Sequence, residues 1–212
     1  MIPAFESSLG VVRQRLRDAP PPGRAVVSIG DARALPRLRR GSVHAIVTSP
    51  PYVNAIDYLR GHRLSLVWFG YSLDELRHIR SNSVGAERAL STEDARAPPA
   101  IRRALGNIDH LPTRLTGIID RYARDLFSIM KEVAQVLRRE GQATFVVGNS
   151  CLRDVFVRNS DGITRAGALC GLRLRDQYER ELPAQHRYLP SPKHGALGKR
   201  MHTETILTFS TA

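Results

Sequence analysis

Short apolar runs, separated by polar stretches rich in glycine and proline, divide the chain into candidate strands and helices. Residues 24–30, RAVVSIG, and residues 43–48, VHAIVT, are continuously apolar rather than alternating. This pattern is typical of parallel strands that are covered on both faces. We therefore expect two buried strands here, the first leading through Asp31 into a loop or a helix start over residues 31–39.

Helical periodicity follows in two places. Residues 61–69 are expected to form a helix that enters the core, and Ser72 is expected to cap a further short helix. The strongest helix is predicted from Thr113 to a C-cap at Glu140-Gly141. Its apolar positions at helical spacing are Leu115, Ile118, Ile119, Tyr122, Leu126, Ile129, Met130, Val133 and Leu137.

The last third of the chain predicts a third buried strand over residues 142–149 and a helix over residues 161–172. A half-exposed strand, LRLRDQYEREL, and a final strand, TETILTFS, complete the order β-α-β-α-β-α-β-β. This order predicts an α/β sheet that ends in an antiparallel hairpin. Ligands in such sheets lie beyond the carboxyl ends of the strands, where Asp31, residues 49–52 and Gly148-Asn149 are expected.

The chain is expected to comprise an N-terminal amphipathic helix with a proline linker, residues 1–22, and a main domain, residues 23–212. Within the main domain, residues 81–112 are polar, broken by prolines and weakly periodic. We interpret them as a long insertion, because a segment of this length without clear elements is usually functional or mobile.

The composition of the chain says more about its binding partners than about its fold. The net charge is +12, from 32 Lys and Arg against 20 Asp and Glu, and arginine dominates. A field of this sign attracts polyanions, so nucleic acid is the favoured partner. There is no apolar run of membrane-span length and no signal-peptide pattern, and Cys151 and Cys170 have neither metal nor disulfide spacing. A cytoplasmic protein without a metal or membrane site is expected.

The stretch VTSPPY ends the second predicted strand with two consecutive prolines. Proline cannot donate to a sheet ladder and restricts the residue before it, so the strand stops here and stops rigidly. Two interpretations stay open at this point. Residues 49–52 are either a strand terminator with a tyrosine lid or a rigid catalytic clamp.

Ser49-Pro50-Pro51-Tyr52, together with the upstream run SIGDARALPRLRRGSVHAIVTSPPY, resembles the DNA amino methyltransferases that use S-adenosylmethionine. Their signature is Asp, Asn or Ser, then two prolines and an aromatic residue, at the end of the fourth sheet strand. The resemblance extends over most of residues 24–210. It implies a Rossmann-like class I methyltransferase sheet, here incomplete, with a C-terminal antiparallel hairpin.

The family chemistry implies a role for each motif residue. An exocyclic base amine is a poor nucleophile because its lone pair is delocalised into the ring. In the family, two acceptors take hydrogen bonds from the two N–H groups of the amine and so free its lone pair. The resemblance implies that these acceptors are the Ser49 hydroxyl and the Pro50 carbonyl here. Pro50 and Pro51 hold that carbonyl rigidly, as preorganised catalysis requires, and Tyr52 stacks on a base extruded from its helix.

The cofactor side of the family site is only partly matched. Asp31, where the family has an acidic or polar residue near the adenine, and Thr48 are the candidates for S-adenosylmethionine binding; a helix-capping Asp31 is the alternative. The chain has no G-x-G loop for the methionine moiety. Three explanations stay open: a fragment of a longer enzyme, one subunit of a split enzyme whose complementary chain carries the loop, or a degenerate binding domain.

The target is expected to be DNA, and Ser49 favours cytosine N4 over adenine N6, which stays open, as does RNA. A binding domain of the same fold without catalysis is the rival hypothesis, and an unrelated nucleotide-binding protein a more distant one. Candidate nucleic-acid contacts carry amide or cationic side chains suited to bases and phosphates. They are Asn54, Arg88, Arg102, Arg103, Lys193, Lys199 and Arg200.

Overall fold

The structure is a computed structural model that describes residues 2–53, 58–85, 98–153, 155–182 and 203–211. It divides into two compact units, residues 1–30 and 31–212. Helix α1 (Ile2–Asp18) makes up most of the first unit. The strand predicted over residues 24–30 is wrong, because no described strand pairs with this segment. The side chains of Val27 and Ile29 are each 95% exposed.

Four strands of the second unit form a mixed sheet in the order β1-β2-β6-β5. They are β1 (Val43–Thr48), β2 (Leu137–Gly148), β5 (Leu172–Glu181) and β6 (Thr203–Thr211). Strand β1 is parallel to β2, β6 is antiparallel to β2, and β5 is antiparallel to β6. The α/β sheet with a C-terminal antiparallel pair is therefore confirmed. A two-stranded ribbon, β3 (Ser150–Leu152) and β4 (Val155–Val157), follows β2 directly.

Helices α4 (Pro99–Leu105), α5 (Thr113–Val136) and α6 (Asn159–Leu169) build the core with one face of this sheet. Phe145 on β2 and Phe209 on β6 meet edge to face at that surface, with ring centroids 5.8 Å apart. The close approach of α6 to the sheet depends on Gly167, where a Cβ would lie 3.0 Å from the Phe209 ring. Helix packing on one face is what holds the carboxyl ends of β1 and β2 in place.

The opposite face of the sheet is open along β1. Ala45 and Val47 project there beside Gln142 and Thr144, and the Val47 side chain is 77% exposed. The expectation that both faces of β1 are covered is therefore wrong. Continuous apolar character shows only that a strand is suited to burial. In β1, Val43, Ile46 and Thr48 are half-buried and the other three residues are exposed.

The two edges of the sheet differ in chemistry. The outer strand β5 carries six charged residues among its ten, which is how natural sheets prevent further strands from adding. The outer strand β1 carries no Asp, Glu, Lys or Arg. Its outer edge pairs with no described strand. One edge is thus protected by charge and the other is not.

A tight helical hairpin follows β1, made of α2 (Tyr58–Trp68) and α3 (Leu73–Asn82). Helix α2 ends in a Schellman motif: Gly70 has φ +92°, and the Tyr71 and Gly70 N–H groups donate to the Leu66 and Val67 carbonyls. Ser72 then caps α3 in a capping box with Glu75, as predicted. The expected entry of α2 into the core is wrong, because Trp68 is 90% exposed.

Three other boundaries differ from expectation. Helix α5 ends at Val136 rather than at residue 140, because Leu137 is extended and pairs with Val43, while the Gln135 carbonyl accepts the Gly41 N–H. Residues 31–39 form turns and not a helix. The segment 81–112 contains a core helix, α4, that buries Ile101 and Leu105, whereas residues 86–97 lie outside the described part.

Among the residues that the structure describes, no helix is both long and apolar enough to cross a membrane.

Candidate active site

The motif residues begin where β1 stops, at the edge of the sheet where β2 also ends. Thr48 lies opposite Phe145 in the parallel pair, so the carboxyl ends of both strands meet. Ser49 and Pro51 are exposed, whereas Pro50 is buried and Tyr52 half-buried. Val53 is fully buried and anchors the far end of the motif in the core. The prolines therefore form a rigid turn fixed at both ends.

Two hydroxyl groups of the motif lie close together. The Ser49 Oγ and the Tyr52 hydroxyl share a hydrogen bond of 3.2 Å. The Tyr52 hydroxyl also approaches the Val146 carbonyl oxygen of β2 at 3.5 Å, as a donor. With its own proton directed to Val146, the Tyr52 oxygen can accept the Ser49 proton. The Ser49 lone pairs are then available to another donor.

Glycines of two other segments surround the Tyr52 side chain and backbone. A Cβ on Gly148, the last residue of β2, would lie 3.0 Å from Tyr52 Cε2. A Cβ on Gly85 would lie 3.4 Å from the Tyr52 carbonyl oxygen, and Gly85 has φ +72°. Gly148 thus provides a flat backbone surface for the ring, and Gly85 allows the chain after α3 to pass close to the motif.

The first turn of α6 holds the end of β2. The side-chain amide of Asn159, which is fully buried, donates to the Gly148 carbonyl at 2.9 Å and to the Ser150 hydroxyl at 2.7 Å. The Ser160 N–H and hydroxyl both donate to the Asn149 side-chain oxygen at 3.2 Å. These bonds fix the position of Gly148 and therefore of the surface that contacts Tyr52.

Tyr122 of α5 lies behind the motif, where a Cβ on Gly85 would stand 3.8 Å from Tyr122 Cδ2. It is fully buried, and burial, with a smaller contribution from Tyr52, raises the pKa of its phenol far above its usual range. Tyr122 is therefore neutral in the folded chain.

Asp31 is held by an arginine of its own turn. Arg33 donates to its carboxylate from Nη2 at 2.7 Å and from the backbone N–H at 2.9 Å. The Arg33 hydrogen bond is the main reason that the pKa of Asp31 lies below its usual range. Arg33 continues to Asp125 of α5 at 3.1 Å and to the Asn82 carbonyl at 2.7 Å. Since no helix follows Asp31, the helix-capping alternative is wrong.

These residues fit S-adenosylmethionine only in part. Asp31 is half-exposed and keeps lone pairs for a further donor, and Thr48 is half-buried beside the motif. The sequence has no G-x-G run. Among the described residues, the candidate contacts for the cofactor are therefore limited to Asp31 and Thr48. The described residues also contain no group of three potential metal ligands.

The predicted nucleic-acid contacts have different surroundings. Arg102 is half-buried and bridges Asp109 at 3.1 Å and Asp120 at 3.0 Å, so its guanidinium is committed to carboxylates of this chain. Arg103 is exposed. Asn54, Arg88, Lys193, Lys199 and Arg200 lie outside the described residues.

Residues 49–52 and Gly148-Asn149 were expected at the same end of the sheet, where the structure has them, but their supports were missed: Gly85, Asn159 and Ser160. The contacts of these three residues join separate elements of the fold, and a polar pair at the start of a predicted helix gives no sign of its partner. The one available signal was Asn159-Ser160, which stands directly before the predicted helix DGITRAGALCGL.

Comparisons with known proteins find similarity over part of their length to DNA methylases. No profile of a known protein family matches the chain. Over 47 residues the chain is 38% identical to the type II methyltransferase M.BsoBI of Geobacillus stearothermophilus, a stretch of 22% of this chain and 9% of that enzyme.

Two solved structures are similar in part of their length. The PvuII DNA methyltransferase, which is cytosine-N4-specific, has a TM-score of 0.47 at 16% identity, covering 87% of this chain and 48% of its own. TTHA0409 of Thermus thermophilus, assigned as a DNA modification methylase and solved with S-adenosyl-L-methionine, has a TM-score of 0.46 at 16% identity, covering 86% and 51%. This chain thus spans about half of each structure.

Proposed function

We propose that this chain is the target-binding part of an S-adenosylmethionine-dependent DNA amino methyltransferase, with cytosine N4 favoured over adenine N6. The observation that carries the proposal is the rigid turn Ser49-Pro50-Pro51-Tyr52 at the shared carboxyl ends of β1 and β2. Its Ser49 and Tyr52 hydroxyl groups lie 3.2 Å apart beside Gly148. Short resemblance to a type II methyltransferase over 47 residues agrees with it.

In this proposal, Ser49 and Pro50 act on the target amine. The Ser49 oxygen and the Pro50 carbonyl accept its two N–H groups, which localises the nitrogen lone pair and makes it nucleophilic. When the Tyr52 hydroxyl donates to the Val146 carbonyl, Ser49 donates to Tyr52 and keeps its lone pairs to accept a hydrogen bond from the amine. Tyr52 stacks on the extruded base with its ring backed by Gly148.

The methyl donor, S-adenosylmethionine, supplies an electrophilic methyl group. We propose that it is bound mainly by a complementary chain or segment that carries a glycine-rich loop, with Asp31 and Thr48 contributing from this side. The edge of β1 is the natural place for this addition, since it lacks charge and exposes Val47. A parallel strand also requires cover on both faces.

Incorporation of a labelled methyl group tests the proposal. The chain is incubated with duplex DNA and S-adenosyl-[methyl-³H]methionine, alone and with the products of adjacent reading frames. We expect incorporation in at least one mixture and its loss with Ser49→Ala. Mass spectrometry of the nucleosides should find N4-methylcytosine. Finding N6-methyladenine instead would show that the target base is adenine. A lack of incorporation into DNA in every mixture would refute the proposal.

A second function is favoured by one observation. The Asp31 carboxylate, the candidate adenine contact, is bound by Arg33 of the same chain at 2.7 Å. A domain that binds DNA without catalysis, through its +12 charge, needs no cofactor contact at Asp31 and accounts for this pairing. It predicts DNA binding that is unchanged by Ser49→Ala and no methyl transfer in any mixture.

A further inference from the structure

A cleft of about 400 Å³ lies between α2 and α3, outside the candidate active site. Its floor is apolar and its rim is cationic. The lining residues are Leu59, Arg63, Leu73, Leu76, Arg77 and Arg80.

The sequence of the hairpin creates this arrangement. Leu73, Leu76, Arg77 and Arg80 follow the spacing of one face of α3, and residues 59 and 63 lie one turn apart on α2. Leu76, only 6% exposed, forms the floor, while all three arginines are exposed. The Schellman motif at Gly70 and the capping box at Ser72 fix the angle between the helices, so the cleft is preformed.

The two acidic residues in the first turn of α3 do not block the cleft. Asp74 pairs with Arg77 at 2.7 Å, but both side chains are largely exposed, at 88% and 73%. Such a surface pair is weak and exchanges readily for a phosphate. The Glu75 carboxylate is used by the capping box with Ser72.

The position of the cleft ties it to the motif. The Ser81 and Asn82 carbonyls at the end of α3 accept hydrogen bonds from Arg121 at 2.6 Å and Arg33 at 2.7 Å, and Gly85 lies against the Tyr52 backbone. From Arg80 to Gly85 the chain spans at most about 18 Å. At about 3.4 Å of rise per nucleotide, this reaches about five nucleotides from a base at Tyr52.

We infer that the α2–α3 cleft binds the phosphodiester backbone of DNA next to the extruded base. Arginine contacts phosphate in a bidentate manner, and the leucine floor accommodates the deoxyribose between two phosphates. This inference rests on the proposed function for the nature of the polymer. It assigns a binding surface to Arg63, Arg77 and Arg80, which have no role in the chemistry.

The test compares two triple variants of equal charge. The cleft variant is Arg63→Gln, Arg77→Gln, Arg80→Gln, and the control is Arg139→Gln, Arg165→Gln, Arg173→Gln, whose three side chains are also exposed. Arg139 and Arg173 lie towards the opposite end of the sheet. Fluorescence anisotropy with a labelled 20-base-pair duplex measures the dissociation constant at several salt concentrations.

We expect the cleft variant to weaken binding at least about tenfold and to reduce the slope of log affinity against log salt by about 0.9 for each phosphate that it no longer binds. The control should change affinity by less than about threefold, since charges beyond about 8 Å are screened at physiological salt. In the unaltered chain, the duplex should protect residues 58–82 from hydrogen exchange. This measurement uses the unaltered chain, so it tests the inference even if the cleft variant does not fold.

Several outcomes would overturn the inference. The first is an equal loss of duplex affinity in both variants, and the second is a lack of protection of residues 58–82 from hydrogen exchange. The third is a cleft variant that loses affinity for deoxycytidine monophosphate but not for the duplex. If an RNA duplex bound more tightly than DNA and this binding depended on the cleft, the ligand of the cleft would be RNA and not DNA. Failure of the proposed function is distinguishable, because methyl transfer would then be absent while cleft-dependent DNA binding persisted.

Discussion

The backbone of Gly148 lies directly against the ring of Tyr52, so that a Cβ at residue 148 would stand 3.0 Å from Cε2. The last residue of one strand therefore forms the surface on which the aromatic residue after the neighbouring strand rests. Asn159 holds that surface through the Gly148 carbonyl.

Gly148→Ala should displace the Tyr52 ring by a few tenths of an ångström. Because a side chain can move more easily than a backbone, we expect a small loss of stability, of about 1 kcal/mol. Methyl transfer should fall more than about tenfold, since small displacements at a reacting centre have large effects on rate. Urea unfolding and the methyl-incorporation assay measure the two effects.

Gly61→Ala is the matched control for this change. A Cβ there meets nothing within 4 Å, and the residue lies inside α2. We expect it to increase stability by about 0.5–1 kcal/mol and to leave methyl transfer unaltered. Equal activity of the two variants would mean that the position of the Tyr52 ring does not matter.

The hydrogen bond between Ser49 and Tyr52 predicts a coupled effect on rate. Tyr52→Phe keeps the stacking ring and should lower kcat about two- to tenfold, the equivalent of about 0.5–1.5 kcal/mol. Ser49→Ala should lower it further. Because both variants remove the same hydrogen bond, the double variant should be less impaired than the product of the two effects. Strict multiplicativity in single-turnover assays would contradict a shared role.

The buried carboxylate of Asp125 predicts a large effect on stability. Asp125 is 6% exposed and lies near two guanidinium groups, those of Arg33 and Arg121. Asp125→Asn removes the buried negative charge that lies between the two guanidinium groups, although Arg33 keeps its ion pair with Asp31, and should cost about 3 kcal/mol. Asp74→Asn, which alters an exposed pair with Arg77, should change the free energy of unfolding by less than about 1 kcal/mol. Similar losses in urea unfolding would count against this difference.

Asp31 predicts a loss of stability in acid. Its pKa is lowered in the folded chain, mainly by the Arg33 hydrogen bond, so the folded state binds this proton less readily than the unfolded state. The stabilisation is complete above the unfolded pKa, near about 3.9, and is lost as the pH falls through the lower folded value. Asp31→Asn should flatten the decrease in unfolding midpoint between about pH 5 and pH 2.5. An unaltered profile would show that Asp31 makes no such contribution.

The lack of a G-x-G run predicts weak binding of S-adenosylmethionine by this chain alone. Losing two or three hydrogen bonds to charged groups, each worth about 1.5–3 kcal/mol, should weaken binding by orders of magnitude. Calorimetry should find a dissociation constant above about 1 mM, and a complementary chain should restore affinity. Val47→Lys, at an exposed position of β1, should leave the fold intact and prevent that restoration. Micromolar affinity without a partner would show that another loop holds the cofactor.

Much of the fold could be predicted from local sequence patterns. The strand VHAIVT, the capping box at Ser72 and the long amphipathic helix α5 were predictable, because each depends on neighbours within a few residues. The stop imposed by Pro50 and Pro51 is likewise a property of the peptide itself. The juxtaposition of Tyr52 with Gly148 followed from the rule that parallel strands end at the same edge.

The errors share one physical cause. Apolar runs at residues 24–30, on the outer face of β1 and in α2 were all expected to be buried, yet Val27, Val47 and Trp68 are exposed. A sequence shows that an apolar segment tends to be buried. It does not show whether the residues that would bury it belong to the same polypeptide. The supports at Asn159 and Gly85 were hidden for a different reason, since they depend on tertiary contacts.

The uncharged edge of β1 has a consequence for the abundance of this protein in a cell. A six-residue segment of high β-propensity with no formal charge, open on one side, is the kind that nucleates stacked aggregates when it stays exposed. Surplus chain made without its proposed counterpart should collect in insoluble deposits or be degraded, whereas the charged edge at β5 takes no part in this. Balanced synthesis of the two components would then be a requirement for solubility as well as for activity.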